Sequence, residues 1–129
     1  MTSTRDQARI FDAIEEVLLR HAPPLAVRRD TPADKRNVHL WSEKELEIAG
    51  RKRTEVYFAG AIVQKGYVGF YYMPVYTDAE RRGLFAPELL PLLEGKSCFH
   101  VKELDDKRLG QIEDALERGL DLYRQRGWI

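Results

Sequence analysis

The chain is short of the features that announce a chemistry. Its one cysteine, Cys98, leaves no partner for an internal disulfide. No apolar run reaches the roughly 20 residues of a membrane-spanning helix. The opening MTSTRDQARI lacks the build of a signal peptide, so a cytoplasmic protein with no membrane partner is the expectation. Charge of one sign is lacking too: 21 Lys and Arg stand against 21 Asp and Glu. That balance argues against a general nucleic-acid binder. Repeats and low-complexity segments are missing. What remains is the composition of a soluble globular chain, 43% apolar and 33% charged, with 129 residues that fit a single domain. A domain of this size hides roughly two thirds of its unfolded surface, enough for an unaided core.

Catalytic motifs are equally scarce. Gly95-Lys96-Ser97 has the ending of a phosphate-binding loop, but Leu90 stands where the first glycine belongs and a strand follows instead of a helix. Glu45 and Glu47 lie two apart on a strand, with no partner acid or base to anchor them. Cys98 and His100 have the types of a nucleophile and its base, but side chains at i and i+2 of a strand stand roughly 7 Å apart. No reaction can be named, and a non-enzymatic role is the expectation.

The most informative stretch is EVYFAGAIVQKGYVGFYYMPVYTD, residues 55–78. It reads as two apolar runs joined by Lys65-Gly66, hence a β-hairpin. A two-residue turn there sets Gln64 opposite Tyr67, Ile62 opposite Gly69, Gly60 opposite Tyr71 and Phe58 opposite Met73. Alternation puts these eight on one face of the sheet. The other face takes Tyr57, Ala59, Ala61, Val63, Val68, Phe70 and Tyr72. Neither face is polar, so both are expected to be largely covered. Ala59 and Ala61 are small enough to let helices approach, so the second set is assigned to the core. The tyrosine-rich first set becomes the open face, where glycines beside large rings should leave shallow concavities.

Around this hairpin the chain runs in order. Residues 4–21 form an amphipathic helix with Ile10, Ile14, Val17 and Leu18 as its apolar stripe and Phe11 at the margin. Thr4 and Gln7 have capping-box spacing, and Pro23-Pro24 stops the helix. Residues 25–30 make a short strand. Residues 37–42 alternate as a strand, with Val38 and Leu40 toward the helices and His39 and Trp41 toward the open face. Another strand covers 45–49, and Arg51, Lys52 and Arg53 follow as a basic turn. After the hairpin a short turn begins at Asp78, and Pro87 opens a brief helix. Residues 96–102 are a strand with Phe99 and Val101 on its apolar side. Asp105 caps a terminal helix over 106–126, striped by Leu109, Ile112, Leu116, Leu120 and Tyr123. Gly127 ends it, and Trp128 folds back on Tyr123 in a Schellman closure. No long helix separates successive strands, so the fold class is α+β: a mainly antiparallel sheet with the N-terminal and C-terminal helices packed on one face.

Two sets of candidate site residues follow. Trp41, Phe58, Tyr67, Tyr71 and Met73, with Ile62, make an aromatic patch on the open face. Rings with polar tips suit an interface, so the first expectation is a second copy of the chain and the next a small ligand, against the alternative that loops 31–36 and 77–86 fold over this side. His39, Cys98 and His100 share that face and would converge on a metal if their strands are neighbours.

The run YFAGAIVQKGYVGFYYMPVY, then GKSCFHVKELDD leading into IEDALERGLDLYRQRGW, resembles small bacterial proteins of the YdhG-like family. The resemblance covers roughly residues 37–129. It implies a frataxin-like α+β fold, two helices over an antiparallel sheet, and an iron-chaperone role proposed for some relatives. Trp41 is followed by Ser42, Glu43 and Lys44, where the family often shows Trp-x-x-Pro-x-Tyr. The first helix lacks a dense acidic ridge, so no iron ligand carries over. The leading expectation is a binding or interaction domain with no cofactor, using Trp41, Phe58, Tyr71 and His100. The alternative is a protein that handles iron or another metal.

Overall fold

The computed structural model describes residues 4–22, 25–29, 32, 34–48, 50–73, 91–94 and 98–129. The elements, in order, are α1 (Thr4–Leu19), β1 (Ala26–Arg28), β2 (Asn37–Ser42), β3 (Leu46–Ile48), β4 (Arg51–Arg53), β5 (Val56–Gln64), β6 (Tyr67–Tyr72), β7 (Leu93–Glu94), β8 (Cys98–Val101) and α2 (Asp106–Gln125). Six strands form one sheet in the order β1-β2-β5-β6-β8-β7, every pair antiparallel. Strands β3 and β4 pair only with each other, as a separate ribbon. The class is α+β. The turn expected at Asp78 and the helix expected at Pro87 lie outside the described residues.

The central hairpin forms in the expected register. Gln64 pairs with Tyr67, Ile62 with Gly69 and Gly60 with Tyr71. Gly66 takes a φ of 85°, the left-handed conformation that costs glycine nothing. The Gln7 side chain docks this turn onto α1 by donating to the carbonyls of Gln64 and Tyr67. Its amide therefore serves the hairpin, a role that the capping-box spacing with Thr4 did not indicate.

Both described helices lie on one face of the sheet. Ile10, Phe11, Ile14, Val17 and Leu18 of α1 are buried, Phe11 completely, so it belongs to the stripe and not to its margin. From α2, Ile112, Ala115, Leu116, Leu120 and Tyr123 are buried. The sheet answers with Val38, Leu40, Ala59, Ala61, Val68, Phe70, Phe99 and Val101. Polar tips in this core find backbone partners, as buried hydroxyls must. The Tyr72 hydroxyl donates to the Ala115 carbonyl, and Tyr123 donates to the Tyr57 carbonyl at 2.7 Å.

One irregularity rearranges the faces. Between β2 and β5, Leu40 pairs with Ala59 but Trp41 pairs with Tyr57, so Phe58 is an extra residue with no partner on β2. This is a β-bulge, and it breaks the period-two alternation. Phe58 and Ala59 consequently both point into the core. Phe58 meets Tyr72 and Tyr123 edge-on, at 6.2 and 5.2 Å between ring centroids. The assignment of Phe58 to the open face is thereby overturned, and Tyr57, expected in the core, takes the open side instead. Arg51–Arg53 is also a strand and not a turn; the turn sits at Gly50, where φ is 80°.

The chain ends as its local spacing predicts. Asp105 accepts the Arg108 amide at 2.8 Å as the N-cap of α2. At the other end Trp128 N–H donates to the Tyr123 carbonyl at 2.8 Å and Gly127 N–H to that of Arg124 at 3.0 Å, the two bonds of a Schellman motif. The Trp128 ring packs edge-on against Tyr123, and the Trp128 carbonyl accepts the Ser42 hydroxyl of β2. Deleting Trp128 and Ile129 should therefore cost about 1–3 kcal/mol of stability, read as a lower urea midpoint.

A pH-dependent weakness sits where α1 gives way to β1. The Nε2 atom of His21 is buried without a hydrogen-bond partner. Burial holds the imidazole below its ordinary value, against the pull of Glu117 and Glu113 and with help from Arg124 and Arg20. The unfolded chain therefore takes up this proton more readily than the folded one. Stability should be intact above the ordinary histidine value of about 6.5 and fall as pH drops through it. It should level off below the lowered folded value. Urea midpoints across this range should decline less steeply in His21→Gln than in the wild type.

Candidate functional site

The side of the sheet away from the helices divides into two halves that differ in how far their polar groups are engaged.

On the β1-β2-β5 half the rings are tied to one another. Arg28 hydrogen-bonds Glu55 at 2.6 Å and Glu43 at 3.1 Å, and its guanidinium lies 4.8 Å from the centre of the Trp41 ring. Trp41 meets Tyr57 edge-on at 5.1 Å. The Tyr57 hydroxyl is 2.8 Å from His39 Nδ1, and His39 is buried. Burial pushes the Tyr57 phenol well above its usual range, which keeps it neutral and able to donate. Gly60 lies beneath this pair. A Cβ there would fall 2.2 Å from the Tyr57 hydroxyl, 2.5 Å from His39 Nδ1 and 2.7 Å from the Val38 carbonyl. The concavity expected over this glycine is filled by the His39–Tyr57 bond.

On the β6-β8 half, Tyr71 leans over Gly69, its ring within 2.9–3.2 Å of where a Cβ would stand. The second expected concavity is thus filled as well. The Tyr71 hydroxyl accepts from Gln64 Nε2 at 3.2 Å, and Tyr71 pairs with Cys98 across the strands. Burial pushes the Tyr71 phenol up, with the Gln64 bond acting the other way. Tyr67 and His100 stack face to face at 3.9 Å, 15° from parallel. Beside this stack opens a cleft of about 530 Å³. Lys65 and Gly66 of the turn, Lys102 and Glu103 after β8, and Asp6 of α1 line it together with the stacked pair.

Of the residues expected on the open face, Trp41, Tyr67 and Tyr71 are there, each half-buried, and Phe58 is not. Met73 is half-buried just past the end of β6, its N–H donating to the Phe58 carbonyl at 2.9 Å. The metal set His39, Cys98 and His100 is not brought together. His39 is on β2, whereas Cys98 and His100 are on β8, with β5 and β6 between. Three strand spacings separate them by about 14 Å, too far for a shared ion. Among the described residues no group of three or more His, Cys, Asp or Glu is gathered. His100 commits its ring to Tyr67 and not to the Cys98 thiol. Sequence reasoning missed Tyr57, which the bulge brings to this side, and the cleft-lining Lys65 and Lys102. Lys65 carried a signal, since the turn residues of a hairpin border the end of its face.

No family model, curated protein or solved structure matches this chain. No helix among the described residues is long and apolar enough to cross a membrane.

Proposed function

We propose that the chain is a non-enzymatic binding domain that holds a small ligand on the face of its sheet that carries Tyr67 and His100, at the turn end of β6 and β8, where the start of α1 also reaches. The observation that carries the reading is the contrast between the two halves of that face. The Arg28–Trp41–Tyr57–His39 chain is closed on itself, while the Tyr67–His100 stack borders a cleft. A second copy of the chain is the less favoured occupant. With Phe58 in the core and Trp41 under Arg28, Val27 is the one large hydrophobic exposed among the described residues. A stable dimer face needs a larger contiguous apolar patch. Metal handling finds no support in the separated histidines. Kinship with the YdhG-like proteins stays part of this proposal, resting on the residues quoted for it and on an α+β class that many unrelated chains share.

A thermal-shift screen of small ring compounds tests the reading. Hits are expected to stabilise the wild type and to lose their effect in Tyr71→Glu, which itself stays folded. Hits unaffected by Tyr71→Glu, or a wild-type dimer in sedimentation that this substitution dissociates, would count against it.

A further inference from the structure

We infer that the cleft beside the Tyr67–His100 stack takes a small planar ring compound bearing one anionic group. The inference rests on the binding reading above and narrows it to a ligand class. Tyr67 and His100 both line the cleft, and aromatic rings beside it favour a flat partner and tolerate many ring types. The cleft volume of about 530 Å³ lies within the size range of small-molecule sites.

The polar groups define the rest of the ligand. Among the described residues, neither the Lys65 ammonium, the Tyr67 hydroxyl nor a ring nitrogen of His100 finds a hydrogen-bond or ion-pair partner. The other half of the face is different, since there the Tyr57 hydroxyl and His39 Nδ1 satisfy each other. Lys65 stands at the turn and Lys102 just past β8, and both line the same cleft, which places two cationic side chains where a bound ring would carry its anionic group. Charge-assisted hydrogen bonds to ammonium groups are the strong kind. Asp6 and Glu103 also line the cleft. They disfavour a ligand with several negative groups and can accept N–H donors from the ring edge. A ring with donors along its edge and one acid group suits a cleft lined by side chains of both signs.

Adenosine monophosphate is a suitable probe, with adenosine as its uncharged counterpart, and calorimetry measures both. The expected result is that the monophosphate binds more tightly than adenosine. Lys65→Ala and Lys102→Ala should each weaken the monophosphate by about tenfold, the loss of one charge-assisted bond, and leave adenosine unchanged. His100→Ala should weaken both. The two lysines are not part of the core, so these variants should fold, which circular dichroism checks. Equal affinity for the two probes, or indifference to both lysine substitutions, would overturn the inference. So would the absence of binding by the monophosphate. If ring compounds still stabilise the wild type in a Tyr71-dependent way, this inference alone falls and the binding face stands.

Discussion

Truncating Phe58 to alanine is expected to lower the unfolding free energy by about 3–5 kcal/mol, the range for emptying a buried phenylalanine site. The ring is fully buried, and its neighbours Tyr72 and Tyr123 are held by hydrogen bonds to backbone carbonyls, so they cannot collapse freely into the space. Plain alternation along β5 makes the opposite forecast. It puts Phe58 on the open face, where truncation would cost little stability and would damage binding. Chemical denaturation of Phe58→Ala separates the two. A large fall in the urea midpoint supports the bulge, and a small change would return Phe58 to the surface.

The second large effect is expected at Gly60. An alanine there would drive its methyl into the Tyr57 hydroxyl, the His39 ring and the Val38 carbonyl. The first two are side-chain ends, but the third is backbone of the adjacent strand, so the β2–β5 pairing itself must give. Overpacking of this kind typically costs about 1–3 kcal/mol, and the His39–Tyr57 bond should be lost with it. Gly110 provides the control. It is exposed within α2, and a Cβ there meets nothing within 4 Å. Gly110→Ala should stabilise the protein by about 0.5–1 kcal/mol, because alanine suits a helix interior better than glycine. The opposite signs at the two glycines, read from paired denaturation curves, would be hard to obtain from any other placement of β2 against β5.

What could be read in advance follows from the range of the interaction that decides it. The Lys65-Gly66 turn sets the β5–β6 register through neighbouring residues, and the Asp105 cap and the Tyr123–Gly127–Trp128 closure are equally local. All three were legible. The bulge at Phe58 was not. Tyr57 and Phe58 are both aromatic, so alternation carries no mark of the residue at which it breaks. The ribbon strand Arg51–Arg53 escaped because three cationic residues show no apolar alternation, and what makes them a strand is pairing with Leu46–Ile48. Strand order is a property of distant pairings. It placed β5 and β6 between His39 and the Cys98–His100 pair, and nothing in the local spacing of those three residues records it. The open aromatic face was legible as a face, through Trp41, Tyr67 and Tyr71. Its division into a self-engaged half and a half bordering a cleft depends on Arg28 reaching Trp41 and on Tyr67 meeting His100, contacts across strand pairs that the spacing within each strand does not record.

The central claim is that the sheet face near Tyr67 and His100, at the turn end of β6 and β8, is the binding surface of this fold. Amide chemical shifts of the labelled full chain, recorded while the ring compounds that stabilise it are titrated in, test it most directly. The account predicts perturbations that cluster at residues 65–71 and 98–102. Perturbations centred on the outer faces of α1 and α2, or on the β3–β4 ribbon, would contradict it.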